Sequence, residues 1–125
     1  MATRRSRQAE IEKILKSLVN NGLFLSAVVA SSDGLPIAMV GKADTMMIAA
    51  VSAAVKDLAE RAQQGVTEIT TRNDKGQTIV TRYFSIDNDL LLLVVEFSAK
   101  RTYRRLTSRA IREIKEIWSA PSGEV

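Results

Sequence analysis

Apolar positions recur along this chain in helical and strand rhythms, and the rhythms divide it into eight elements. Ile11, Ile14, Leu15 and Leu18 follow the i, i+3, i+4, i+7 spacing of one helical face. A helix over 7–21 is predicted, with Ser6 as its N-cap and Asn21-Gly22 as its stop. Leu23 to Ala30 and Leu35 to Val40 are apolar runs on either side of the turn sequence Ser31-Ser32-Asp33-Gly34. They read as a hairpin whose second strand belongs at a sheet edge, because Pro36 has no amide to donate. Asp44 is suited to cap a second helix running to about Gln64, with Gly65 ending it. Val66 to Arg72 is mostly polar and reads as another edge strand, joined through Asn73-Asp74-Lys75-Gly76 to a strand over Thr78–Ile86. After the turn Asp87-Asn88-Asp89, the unbroken run Leu90–Val95 predicts a central strand covered on both faces. A last helix from near Ser98 to about Trp118, closed by Pro121-Ser122-Gly123, turns Tyr103, Leu106, Ala110, Ile114 and Ile117 inward.

The element order α-β-β-α-β-β-β-α, with short hairpin loops that force antiparallel neighbours, predicts an α+β fold. Its core is a five-stranded, mainly antiparallel sheet between helices. In the second helix, Met47, Ile48, Val51, Val55, Leu58 and Ala62 form the stripe expected to face that core. Met46, Ala50, Ala53 and Asp57, flanked by Ala49, form a second stripe. It admits two readings: the helix propensity of alanine, or small side chains that let another helix come close.

Composition narrows the chemistry. The 125 residues suit one domain spanning 1–125, with flexible ends expected at about 1–6 and 119–125. There is no cysteine and no histidine, which removes disulfides, the usual zinc sites and Cys or His catalysis. Gly34 and Gly41-Lys42 are spaced wrongly for a phosphate-binding loop, and Ala43 stands where a metal-binding hydroxyl is needed. Asp87 and Asp89 fail as a calcium loop, since Leu92 replaces the turning glycine and Ser98 the bidentate Glu. Asp33, Asp44 and Asp74 sit in expected caps and turns. The residues therefore predict no enzyme, no cofactor and no metal. Leu90–Val95 is too short to span a membrane, and charged residues follow Arg4, Arg5 and Arg7 where an export signal needs an apolar stretch, so a cytoplasmic protein is expected.

Charge is placed unevenly. Residues 1–97 hold 11 basic and 11 acidic side chains and residues 98–125 hold seven and three, so the formal +4 belongs to the C-terminal segment. Arg101, Arg104, Arg105, Arg109, Arg112 and Lys115 fall on the outer side of the last helix. That stripe is a solvated helix face or a surface for an anionic partner. Nucleic acid is disfavoured, because aromatic residues are only 5% of the chain and stacking platforms are missing.

The segment Ala27-Val28-Val29-Ala30-Ser31-Ser32-Asp33-Gly34-Leu35-Pro36-Ile37-Ala38 resembles the roadblock family, the module of dynein light chains and of prokaryotic small-GTPase regulators. The likeness continues through the Ala-rich helix ending Asp57-Leu58-Ala59-Glu60-Arg61 and through Leu90–Val95 with the helix after it. Ser26 departs from a glycine common in the family, and Arg101, Tyr103, Arg104 and Arg105 make the last helix more basic than usual. The resemblance implies a roadblock-like, profilin-like sandwich that forms a homodimer: the 66–72 edge strands pair across a two-fold axis and the second helices pack together. It further implies that the dimer binds and regulates, or scaffolds, a Ras-like small GTPase. Expected dimer-interface residues are Met46, Ala49, Ala50, Ala53, Asp57, Thr67, Ile69 and Thr71, and Ala53→Arg should then separate the dimer without unfolding the chain. Two alternatives remain at this point: a non-catalytic recruitment subunit of the dynein-light-chain type, and anion or nucleic-acid binding through the basic helix.

Overall fold

A computed structural model describes residues 4–21, 24–41, 44–98 and 102–119 of the chain. The elements are α1 (Arg4–Asn21), β1 (Ser26–Ser31), β2 (Pro36–Gly41), α2 (Thr45–Ala62), β3 (Glu68–Arg72), β4 (Gln77–Ile86), β5 (Asp89–Ser98) and α3 (Arg104–Ser119). This is the order the sequence predicts. The five strands form one sheet in the order β2-β1-β5-β4-β3, antiparallel at every pairing. β5 lies in the middle, bonded to β1 and β4, while β2 and β3 are the two edges. Pro36 opens β2, where its missing amide interrupts no ladder on the open side.

Alternation along β5 explains its unbroken hydrophobicity. Leu91, Leu93, Val95 and Phe97 enter the core beneath α1 and α3, joined by Ile11, Leu15, Leu18, Val80, Ala110 and Ile114. Leu92 and Val94 point the other way, toward α2, with Val28, Ala30, Ala49, Ala53 and Tyr83. The sheet thus carries two helices on one face and one on the other.

Two helix starts differ from the sequence reading. α1 starts at Arg4, so the backbone of Ser6 lies inside the helix and not at its cap; arginine is a good helix former and extends the first turn. α3 begins at Arg104 and not near Ser98, because Phe97 and Ser98 continue the ladder opposite Thr78 and Gln77. Phe97 is also held there by Phe24 edge-on at 5.6 Å and by Tyr103 stacked at 5.9 Å. Gly22, the expected stop of α1, and the closing Pro121-Ser122-Gly123 lie outside the described residues.

The second helix reverses the expected division of its faces. Much of its stripe of large apolar residues is turned outward, with Met47 58%, Val51 50% and Leu58 63% exposed, while Ile48 and Val55 are half-buried. The buried face is Thr45, Ala49, Ser52 and Ala53. The cause is the bulk beneath: Tyr83, Leu92 and Val94 already fill the sheet surface, so α2 lies close only with small side chains at the contact. The small residues do admit a close neighbour, but that neighbour is the chain's own sheet. The β1–β2 turn presses on the same flank, since a Cβ on Gly34 would meet the Ala50 Cα at 3.0 Å and the Ala53 Cβ at 3.4 Å.

Candidate functional site

The feature with most binding potential lies where α2 overhangs β3 and β4. Asp44 caps α2 as predicted, its carboxylate accepting from the Met47 amide at 3.2 Å, which fixes the helical phase. With that phase, Met47, Ile48, Val51 and Val55 line one wall of an open groove. Its other wall is Ile69 and Thr71 of β3 and Ile79, Thr81 and Tyr83 of β4. The cavity measures about 200 Å³ and is apolar almost throughout.

Polar contacts at its inner rim hold the helix in place. The Thr81 hydroxyl donates to the Ser52 hydroxyl at 3.0 Å, and the Tyr83 hydroxyl donates to the Ser52 carbonyl at 2.7 Å. Lys56 lies over the Tyr83 ring, 5.6 Å from its centroid. Glu60 joins the last turn of α2 to the start of the edge strand by accepting from the Val66 amide at 2.8 Å and from Lys56 at 3.4 Å. The Val66 amide, with Lys56 assisting, holds the Glu60 carboxyl below the usual carboxylate range against an opposing desolvation.

Burial, reinforced by the nearby Asp57 charge, pushes the Tyr83 hydroxyl up to about 12. In the unfolded chain it titrates near 10, so between pH 10 and 12 the folded state binds more protons than the unfolded state. Stability is therefore expected to be insensitive to this group below pH 10 and to fall as pH rises through that interval. Denaturant melts of the wild type and of Tyr83→Phe at rising pH measure it: the wild type should lose more stability across the interval than the variant.

The opposite face of β3 is anchored to α3. Glu68 accepts a short hydrogen bond from the Tyr103 hydroxyl and another from Arg104 at 3.2 Å, with the Arg82 guanidinium 3.7 Å away. Arg82 in turn donates to the hydroxyls of Thr107 at 3.0 Å and Ser108 at 2.7 Å. The hydrogen bond to Glu68 keeps the Tyr103 proton in place and raises its titration above the usual tyrosine range. This clasp is absent from the sequence reading, which treats Glu68 as one polar residue of an exposed edge. Neither partner lies near it in sequence, so periodicity gives no signal of it.

The candidate interface residues separate into groups. Ile69 and Thr71 share the α2-side face of β3 and line the groove, and Thr67 is exposed just before the strand. Met46, Ala50 and Asp57 are exposed. Ala49 is fully buried and Ala53 is 9% exposed, both packed on the chain's own sheet, so neither offers a surface to a second copy. Sequence reasoning misses Met47, Val51 and Leu58 as surface residues, because it assigns them to the core. Of the basic stripe, Arg104, Arg105, Arg109, Arg112 and Lys115 are exposed along α3, while Arg101 lies outside the described residues. Among the described residues no group of three acidic side chains is placed to hold a metal ion, and no helix is long and apolar enough to cross a membrane.

No protein-family model and no curated protein matches the sequence. Solved structures do match by shape. MglB from Myxococcus xanthus superposes with a TM-score of 0.62 at 16% identity, over 88% of this chain and 92% of that one. An MglB with a tetrameric arrangement gives 0.72 at 13%, over 90% of each chain. A Roadblock/LC7 domain from Streptomyces avermitilis gives 0.65 at 17%, over 86% of this chain and 93% of that one. At such identities the likeness is one of fold, and it extends over nearly the whole chain.

Proposed function

Because the chain has the roadblock fold, we propose that it self-associates through the β3 edge and the adjoining flank of α2, and that the paired platform binds a Ras-like small GTPase in the cytoplasm. Its role is regulation or scaffolding, with no catalytic group of its own. The observation that carries this reading is the juxtaposition of two unsatisfied surfaces. Among the described residues the outer edge of β3 has no strand beside it, and Met47, Val51 and Leu58 stand exposed on the neighbouring helix with an apolar groove between. A second copy supplies both an antiparallel strand and an apolar helix flank. The tetrameric MglB supports self-association in chains of this shape.

The helix contribution differs from the one the sequence suggests. Thr67, Ile69 and Thr71 remain in the proposed interface, Met47, Val51 and Leu58 join it, and Met46, Ala50 and Asp57 form the outer flank. Toward a GTPase, such a platform acts by binding one switch-loop conformation in preference to another. Any faster hydrolysis then comes from groups the GTPase already holds in place.

Pull-down of Ras-like GTPases from the same genome, loaded with GDP or a GTP analogue, tests the partner. Preference for the GTP-analogue form with changed hydrolysis is the result expected of a regulator, and equal retention of both forms that of a scaffold. Retention of neither overturns the GTPase reading.

A further inference from the structure

We propose that the layer formed by α1 and α3 docks on an anionic phospholipid bilayer. The two helices hold ten of the 18 basic residues of the chain and four of its 14 acidic ones, a formal +6 against +4 for the whole. Everything outside them is net acidic, so the molecule is electrically two-sided.

Pairing sharpens the contrast. Lys56, under the other face of the sheet, stands beside Glu60, and within the layer Lys16 pairs with Glu12 and Arg104 with Glu68. Arg105, Arg109, Arg112 and Lys115 are all exposed on α3 and take part in no ion pair among the described residues. Arg105 and Arg109 are four apart, and Arg109, Arg112 and Lys115 follow at three-residue steps, spacings at which like charges repel along a helix, relieved within α3 only by Glu113 and Glu116, each four residues after an arginine. An external anion relieves that repulsion.

Shape selects the partner. α3 lies flat on the sheet with Ala110, Ile111 and Ile114 buried, and α1 lies beside it, so the exposed cations of α3 stand on a broad two-helix plate and not on a projecting ridge. A duplex nucleic acid is a cylinder and touches a plate along one line, whereas a bilayer meets it over its whole area. Its anionic headgroups attract clustered Lys and Arg within a Debye length. Among the described residues none of the exposed large apolar side chains belongs to α1 or α3. Docking is therefore adsorption without insertion, and salt reverses it. If two chains pair at β3, the antiparallel ladder sets the two-fold axis normal to the sheet, and both plates face the same way. That doubling rests on the pairing proposed above; the docking does not.

Co-sedimentation of the full chain with phosphatidylcholine vesicles, with and without phosphatidylserine, tests the proposal. Binding to the phosphatidylserine vesicles alone is expected, lost as salt is raised to about 0.5 M, where screening shortens to a few ångström. Arg105→Glu with Arg109→Glu should weaken it at least about tenfold, while Lys75→Glu in the β3–β4 loop leaves it unchanged. Thermal melts by circular dichroism establish that each variant is folded, and Arg112→Glu with Lys115→Glu replaces the first pair should it not fold. Equal binding to both vesicles, no binding to either, full binding by a folded charge-reversal variant, or tighter binding to duplex DNA at the same salt would each overturn the proposal. Light scattering on the same samples reads self-association separately, so a monomer that still sediments with vesicles faults the pairing and leaves the docking standing.

Discussion

Gly41→Ala should cost the fold about 2–6 kcal/mol, from backbone strain of about 1–3 and overpacking of about 1–3 at the same atom. Gly41 ends β2 with φ at +119°, a conformation that L side chains rarely adopt. Its missing Cβ would also lie 2.5 Å from the Ser26 Cβ and 2.6 Å from the Leu25 carbonyl oxygen, at the first rungs of the β1–β2 and β1–β5 ladders. No rotamer change relieves such a clash, because two of the three nearest atoms are backbone. A loss of that size removes much of the 5–15 kcal/mol typical of a domain. Denaturant unfolding followed by circular dichroism measures it. Gly76→Ala is the matched control: φ there is +81° but no heavy atom lies within 4 Å, so only the conformational share, about 1–2 kcal/mol, should be lost. Equal losses at the two positions would show that the contact at β1 carries no weight.

The second large effect is expected on assembly. Met47→Glu with Val51→Glu places two carboxylates on the apolar wall that the proposed pairing covers, and the two-fold repeats them in the partner. Burying each without a counter-charge is costly, so the dimer dissociation constant should rise at least about 100-fold, equivalent to about 2.7 kcal/mol. Both side chains are more than half or about half exposed in the single chain, so monomer stability should move by no more than about 0.5 kcal/mol. Light scattering across a concentration series reads the first quantity and thermal melting the second. A variant that associates like the wild type would place the interface elsewhere. Ala53→Arg, the substitution that the sequence pattern recommends, tests a different property: Ala53 sits between the sheet and Gly34, so an arginine there dislodges α2.

That reversal shows where periodicity stops being informative. The stripe Ile11, Leu15, Leu18 of α1 and the inward face of α3 are legible because each helix meets the sheet with large side chains, so hydrophobicity and burial coincide. The strand of Leu90–Val95 is legible for the same reason on both of its faces. In α2 the two properties separate. Amphipathicity records which residues leave water, and a surface kept for another protein leaves water as surely as a core does. Composition alone cannot say which of two apolar stripes meets the chain's own sheet; the packing volume above Tyr83, Leu92 and Val94 decides it. Both edge strands are predictable from Pro36 and from the threonines of β3. The Glu68–Tyr103–Arg104 clasp spans 35 residues or more and leaves no local pattern.

The two faces of the sheet are unequally loaded. One carries a pair of helices packed through phenylalanine, leucine and isoleucine; the other carries a single helix that meets the sheet through its own alanines and serine, tied by two hydroxyl contacts to Ser52. Less apolar area is buried beneath α2, so local opening costs least there and its amides should be the first of the three helices to exchange with solvent. The element that shows its apolar flank to the outside is thus the one the interior grips most loosely, and anything that settles on that flank tightens the whole sandwich.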